Sequence, residues 1–285
     1  MTQSADNRIR TTLSVDAIDQ REEFLLSLLA GASELALAGY DKQKADGAAP
    51  ANRMKGPQDY LTETDGAVEA HIRARIAAAF PEDSFLGEET GGNAGDVVWV
   101  VDPIDGTANF ARGIPHFCIA IALVANGETQ LGGTINPVLA ETYLARLGRG
   151  ASRNGVPIRV APTSEISATS FELGWSTRSV LADYIAAHTA LVVAGSNVRR
   201  ASSGALALCY VADGRSDGYA ELLMNPWDCL GGLLMVREAG GVTCGFLSGG
   251  GLDDGGAVLA ATPAVAAILS QATGIALFEG RDRRP

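Results

Sequence analysis

Apolar positions recur at helical spacing from about Asp16 to Leu37, where Phe24, Leu25, Leu28, Leu29, Ala32, Leu35 and Ala36 form one stripe. The stripe predicts a helix, preceded by a polar, frayed stretch over residues 1–15. A second stripe, made of Val68, Ile72, Ile76, Ala79 and Phe80, predicts a helix from about Thr64 to Phe80 that Pro81 ends. The glycine- and lysine-bearing stretch between them, 41–58, reads as a mobile loop. The period then changes. Val97-Val98-Trp99-Val100-Val101 is a continuous apolar run of strand length, the pattern of a strand buried on both faces. Segments at 117–125, 129–136 and 140–147, each bounded by Gly, Asn or Pro, predict an antiparallel meander.

The second half alternates instead. Strands near 168–173, 197–199, 217–223 and 257–261 interleave with helices at 178–193, 203–213, 227–239 and 263–272, and Gly240-Gly241 stops the third of these helices. Such alternation predicts a sheet covered by helices. With no internal repeat and no Pro/Ser-rich linker, the chain reads as one compact unit with a soft division into residues 1–155 and 156–285.

Composition narrows what the chain does. Its 285 residues are 47% hydrophobic, enough for a substantial core. No run reaches the roughly eighteen apolar residues of a membrane span, and Met1 to Arg10 lacks an apolar signal core, so a cytoplasmic protein with no membrane partner is expected. The net charge of −11 argues against nucleic acid as a partner, because phosphate neutralisation by a basic patch supplies most of that affinity. Arg199-Arg200 and the Arg281-Asp282-Arg283-Arg284 tail are too small to provide one. An acidic protein that handles an anionic ester needs cations to reverse the local field. Cys118, Cys209, Cys229 and Cys244 contain no CxxC pair and read as small buried hydrophobes. His71, His116 and His188 stand alone, outside any nucleophile elbow or zinc helix.

The chemistry gathers around Asp102-Pro103-Ile104-Asp105-Gly106-Thr107, directly after the buried strand, where open α/β sheets place ligands. Two carboxylates three residues apart on a turn can converge on hard, oxygen-seeking cations, with the Ile104 carbonyl between them. Gly106 and Thr107 then offer backbone N–H groups to an anion. An Asx turn closing the strand is the alternative reading. Glu88 and Glu89 lie in a Gly-Glu-Glu-Thr loop that solvation alone would explain. Asp65 sits at a helix start, where N-terminal capping is the plain explanation, and the same holds for Asp228 in Pro226-Trp227-Asp228. Glu221 lies near the end of a strand.

Taken together and in order, these features resemble the inositol monophosphatase family of lithium-sensitive, magnesium-dependent phosphatases. The match comprises Asp65, Gly87-Glu88-Glu89, the stretch from Asp102 to Phe110, Trp227-Asp228, and Glu238-Ala239-Gly240-Gly241, and spans roughly residues 20 to 270. The resemblance implies a layered αβαβα sandwich, normally a homodimer, acting on a small phosphorylated metabolite with two or three Mg2+ ions. It implies metal ligation by Glu88, Asp102, the Ile104 carbonyl, Asp105 and Asp228. Most of these ligands fall in residues 1–155, and 156–285 complete the site. Thr107 and Asp65 would activate the attacking water, and Glu89 would support them from behind. Gly106 and Thr107 would hold the phosphate, while Ser202, Ser203, Gly204 and Glu221 would read the polyol. Lys55 would face the site from its loop, or simply be a solvated loop lysine.

The departures lie on the substrate side. Glu172-Leu173-Gly174-Trp175-Ser176 carries a tryptophan where a small polar residue is common, and Ser202-Ser203-Gly204 replaces a Gly-x-Ala loop. Inositol monophosphate is the leading substrate. Histidinol phosphate, fructose 1,6-bisphosphate and nucleotide bisphosphates are the alternatives, and a metal-binding regulatory protein without turnover is the non-enzyme reading. Magnesium dependence also follows from a carboxylate set without Cys or His.

Overall fold

The structure, a computed structural model, describes residues 13–45, 53–56 and 59–278, for 53–56 and 59–61 the backbone only. The stretch read as frayed and the arginine-rich tail fall mostly or wholly outside the described residues.

Two large sheets and three helical layers alternate, with a separate two-stranded ribbon formed by Arg53–Gly56 and Asp59–Leu61. The first sheet has eight strands, running spatially from Val156–Pro157 through the meander to Val97–Asp105, then Ser84–Gly87 and Gly91–Gly92. Ser84–Gly87 pairs parallel to Val97–Asp105, and the strands from there through Cys118–Ala125, Glu128–Asn136, Glu141–Arg146 and Gly150–Arg153 are antiparallel. Every residue of Val97–Asp105 is buried, as its unbroken apolar run requires. Its alternate side chains serve different cores. Val97, Trp99 and Val101 meet the helices Val15–Ala45 and Glu63–Ala79, whereas Val98 and Val100 face the central helices Gly204–Ala212 and Pro226–Glu238. Beyond that layer lies the second sheet of five strands, with Leu181–Val193 and Ala266–Thr273 behind it. This is the expected αβαβα order. All four cysteines are free and buried in it.

In the second sheet Ser170–Leu173 runs parallel to both Asn197–Arg199 and Gly218–Met224. The loops after these three strands therefore leave from one side of the sheet, and they form much of the site.

One predicted loop is partly regular. Residues 41–45 continue the first helix, and Arg53–Gly56 pairs antiparallel with Asp59–Leu61. Tertiary contacts extend that helix: Tyr40 is buried beside Phe110 and Phe117, and its hydroxyl donates to the Gly113 carbonyl at 2.6 Å. By length and mean hydropathy Val15–Ala45 could cross a membrane, but its Leu25, Leu28, Leu29, Ala32 and Ala36 are buried in the core of the fold.

Candidate metal centre and ligand cavity

The strand Val97–Asp105 does not end before the paired aspartates but carries them within a bulge. Its register against Cys118–Ala125 shifts between Asp102, opposite Ala120, and Asp105, opposite Cys118. A bulge re-aims side chains, and here it serves two buried carboxylates. Asp102 also makes the Asx turn, its Oδ1 accepting from the Ile104 N–H at 2.9 Å. Gly106 follows with φ 95°. A Cβ there would lie 3.0 Å from the His116 carbonyl oxygen and 3.2 Å from that of Ser202, so both conformation and space call for glycine. The short helix Thr107–Phe110 begins immediately after it.

Asp65 and Asp228 are placed alike, each at the third position of its helix. The Thr62 N–H donates to Asp65 Oδ2 at 3.0 Å, and the Asn225 N–H to Asp228 Oδ2 at 3.2 Å. The capping reading is thus realised, and each cap fixes one oxygen of a carboxylate that takes part in the site. Asp65 Oδ1 accepts from the Thr107 hydroxyl at 3.2 Å, and the same hydroxyl lies 2.9 Å from the Ile104 carbonyl. Fully buried, Asp65 reaches the cavity through Thr107, which lines it.

Carboxylate oxygens of Asp102, Asp105 and Asp228 all lie within 4.8 Å of one another. Magnesium–oxygen bonds of about 2.0–2.1 Å set opposite octahedral ligands about 4.2 Å apart, so a small contraction would let these oxygens share one ion. The charges call for one. Burial pushes Asp102 well above the usual carboxylate range, and the Glu88, Asp105 and Asp228 charges add to the shift. Burial followed by the Asp105 charge pushes Asp228 up to about 7, and Asp102 and Asp228 touch as hydrogen-bond partners. Asp105 is raised by burial although Ser203 and the Ala205 N–H donate to it. Buried carboxylates whose proton affinities are all raised, offering oxygen ligands to one point, fit a hard divalent cation. Glu88 lines the same cavity, its own N–H bonded to the Val101 carbonyl at 3.1 Å.

The cavity is about 670 Å³. Asp105, Gly106, Thr107, Asp228, Trp175 and Glu221 all line it. Burial holds Glu221 at about 7, although the Tyr219 hydroxyl donates to it at 2.6 Å. A Cβ on Gly174 would fall 1.9 Å from Glu221 Oε2, so this glycine makes room for that carboxylate. Ser202, Ser203 and Gly204 also line the cavity, but the Ser203 hydroxyl is turned to Asp105 Oδ2 at 2.6 Å. The Ala205 N–H meets the same oxygen at 2.8 Å, so Asp105 caps the helix Gly204–Ala212 from the other sheet. Lys55 lies on Arg53–Gly56, and its side chain falls outside the described residues.

Two carboxylates escaped the sequence reading. Glu69 is fully buried on the helix Glu63–Ala79 and accepts from the N–H groups of Glu89 and Thr90 at 2.8 and 2.9 Å, so it clasps the loop that carries Glu88. Glu172 accepts from Arg199 Nε at 3.0 Å and from the Ala201 N–H at 3.1 Å, which holds the start of the 200–204 loop. Glu69 had a signal: an acidic residue one turn beyond Asp65, between the apolar positions Val68 and Ile72.

Paired sheets with a carboxylate cluster that could hold a metal ion at their strand and helix ends define the class: a layered α/β sandwich with a candidate cation site. The model of the inositol monophosphatase family matches residues 18–276, and the chain belongs to that family. A protein named Nus factor SuhB from Haemophilus influenzae is 39% identical over 213 residues, covering 73% of this chain and 80% of that protein. The solved extragenic suppressor protein suhB of Bartonella henselae superposes with a TM-score of 0.81 at 29% identity, over 89% of this chain and 98% of that one. An inositol monophosphatase from Anabaena superposes with a TM-score of 0.76, also at 29% identity, over 91% of this chain and 97% of its own.

Proposed function

We propose that this chain is a magnesium-dependent phosphomonoesterase acting on a small, hydroxyl-rich phosphate ester, inositol monophosphate first among them. The observation that carries the reading is the convergence of Asp102, Asp105 and Asp228 beside a hydroxyl–carboxylate pair at the edge of one cavity. Glu88, Asp102, Asp105, Asp228 and the Ile104 carbonyl would hold the cations. When bound, magnesium polarises the phosphoryl oxygens and acidifies the attacking water. The chain's own contribution is proton handling and alignment. Thr107 accepts the water's proton at Oγ as its own proton passes to Asp65 Oδ1, and Asp65, raised to about 6 by burial, is basic enough to receive it. The backbone N–H groups of Gly106 and Thr107 orient the phosphate. Glu221 accepts from substrate hydroxyls, or from an amine, which keeps histidinol phosphate on the panel.

Phosphate release measured over inositol phosphates, histidinol phosphate and sugar and nucleotide bisphosphates tests the reading. Turnover should require magnesium and stop with excess chelator. Full activity in chelator would overturn it. The name Nus factor, carried by relatives such as the Haemophilus protein, favours a second role that does not need hydrolysis. Rescue of a deletion strain by an Asp228→Asn protein would support that role, and failure of the variant where the parent succeeds would exclude it.

A further inference from the structure

The helix Glu63–Ala79 carries Asp65, Glu69 and Arg73 at four-residue spacing, which sets them along one face. Asp65 meets Thr107. Glu69, one turn on and fully buried, meets the tight connection between Ser84–Gly87 and Gly91–Gly92 that carries Glu88. Its two oxygens divide the contact. Oε2 accepts from the Glu89 N–H at 2.8 Å, whereas Oε1 accepts from the Thr90 N–H at 2.9 Å and from the Thr90 hydroxyl. Arg73, a further turn along, donates from Nη2 to the Gly91 carbonyl at 2.9 Å and to the Thr90 hydroxyl. It lies 4.0 Å from Glu69 Oε1, and its guanidinium sits over the Phe85 ring, 4.1 Å from the centre.

The sequence around Glu88 is shaped to this clasp. A Cβ on Gly87 would fall 2.4 Å from Glu69 Oε2, so the glycine before Glu88 leaves the space that the carboxylate fills. Glu88 is held from two directions, its own N–H on the Val101 carbonyl of the neighbouring strand and the next two N–H groups on Glu69. Bonds from backbone N–H groups to a buried carboxylate are charge-assisted and stronger than neutral ones. Of the four carboxylates assigned to the cations, Asp102 and Asp105 lie in a strand bulge and Asp228 in a capping box, so Glu88 alone lies on a turn. Glu88 lines the cavity, and its charge is felt at Asp102. Ordering a loop at the moment of binding subtracts from affinity, so a turn fixed in advance strengthens it.

We propose that Glu69 is a positioning residue for the cation site: by clasping the Glu89 and Thr90 N–H groups it fixes Glu88 toward the three aspartates and so sets the affinity for magnesium. This rests on the metal reading of the cluster and deepens it. Glu69→Gln keeps the shape of the side chain but sets an NH2 group against one of the two N–H donors. Calorimetric titration with magnesium chloride should show a Kd raised about ten- to a hundredfold, the range typical of residues that orient a metal ligand. The magnesium concentration giving half-maximal phosphate release should rise in parallel, and kcat at saturating magnesium should fall by less than Kd rises. A lower metal-free melting temperature with an unchanged magnesium Kd would make Glu69 a structural residue only and overturn the proposal. So would a loss of kcat with Kd unchanged. A second protein, Thr90→Ala combined with Arg73→Gln, leaves the buried carboxylate in place and decides the question should Glu69→Gln fail to fold. It removes a positive charge, which by its field alone would strengthen cation binding. A Kd nevertheless raised about threefold, the scale of a lost hydrogen bond, supports positioning, and an unchanged or lower Kd overturns it. If the parent binds magnesium but hydrolyses no ester, the phosphatase reading fails and the titrations still decide this proposal. A parent that binds no magnesium overturns both.

Discussion

The two sides of the cavity are built differently. On the metal side each aspartate is bound into secondary structure: Asp102 and Asp105 in a buried strand bulge, Asp65 and Asp228 in capping boxes, and Asp105 also at the N-terminus of the helix Gly204–Ala212. Apart from Glu221 on the strand Gly218–Met224 and Gly204 at a helix start, the substrate side is built from loops, with Arg178 and Arg200 exposed and Ser202 in a left-handed conformation at φ 63°. A rigid charge cluster can serve one chemistry, whereas loops can change what is accepted without disturbing it. The comparison predicts that metal-side substitutions abolish turnover and substrate-side ones redistribute it.

The largest effect should come from Asp228→Asn, which removes a shared charge from the cluster. Turnover should be lost, while the metal-free protein melts at the same or a higher temperature because repulsion with Asp105 is relieved. Asp105→Asn should lose turnover too, but with a lower melting temperature, since it perturbs the acceptor of Ser203 and Ala205. Phosphate release and thermal melts with chelator separate the two. Normal turnover in either variant would make these residues structural caps only.

Next in size is Thr107→Ala. Loss of its proton relay should lower kcat by about 10²–10⁴-fold. Magnesium affinity should stay close to that of the parent, because Thr107 bonds to Asp65 and Ile104 and lies outside the three-aspartate cluster. Parallel losses of rate and metal binding would move Thr107 into the metal shell.

The pH dependence of stability sharpens the same contrast. Asp65 is raised to about 6, and Asp228 and Glu221 to about 7, each chiefly by burial. An acid whose folded pKa exceeds its unfolded value binds its proton more tightly when folded, so the stability it lends is present in mild acid and is lost as pH rises through the folded pKa. The metal-free protein should therefore melt at a lower temperature as pH rises from about 4 to 7, the window between these unfolded and folded values. The increment in melting temperature from added magnesium should grow over the same interval. A metal-free melting temperature that climbs steadily from pH 5 to 8 would show that the cluster is not strained.

Much of this architecture can be read from the chain because local rules and tertiary demands agree there. The run Val97 to Val101 is apolar at every position, since both faces of its strand meet helices. The metal-side aspartates stand beside glycines and prolines that fix turns and helix starts, so residue type and spacing carry the geometry. Where long-range contacts decide, the pattern is silent. The first helix runs on through 41–45 beyond the buried Tyr40, whose contacts come from residues some seventy positions away. Glu69 reads as one more helix acid until the fold brings the Glu89 and Thr90 amides to it. The resemblance alone implies that Ser203 reads the polyol, and which way its hydroxyl turns depends on Asp105, 98 residues earlier.

The smallest effect, and the one most particular to this chain, concerns Trp175. The indole lines the cavity beside Arg200, and its ring lies 6.4 Å from that of Tyr184. Its N–H is buried without a hydrogen-bond partner in the structure. Such a side chain gives the substrate a flat apolar face, where a small polar residue would give it a hydroxyl. A substrate hydroxyl set against it loses a partner, whereas a sugar face or an imidazole gains a stacking surface. Trp175→Ser should therefore shift relative kcat/KM across the panel by several-fold, a modest factor because one edge of the ligand is involved and not the scissile phosphate. Polyol esters with a hydroxyl at that edge should gain, and histidinol phosphate should lose. The metal-dependent step should be untouched, so the magnesium concentration giving half-maximal rate should not move. Unchanged ratios across all substrates would mean that Trp175 serves packing with Tyr184, and selectivity would then have to come from Glu221 and Ser202-Ser203-Gly204.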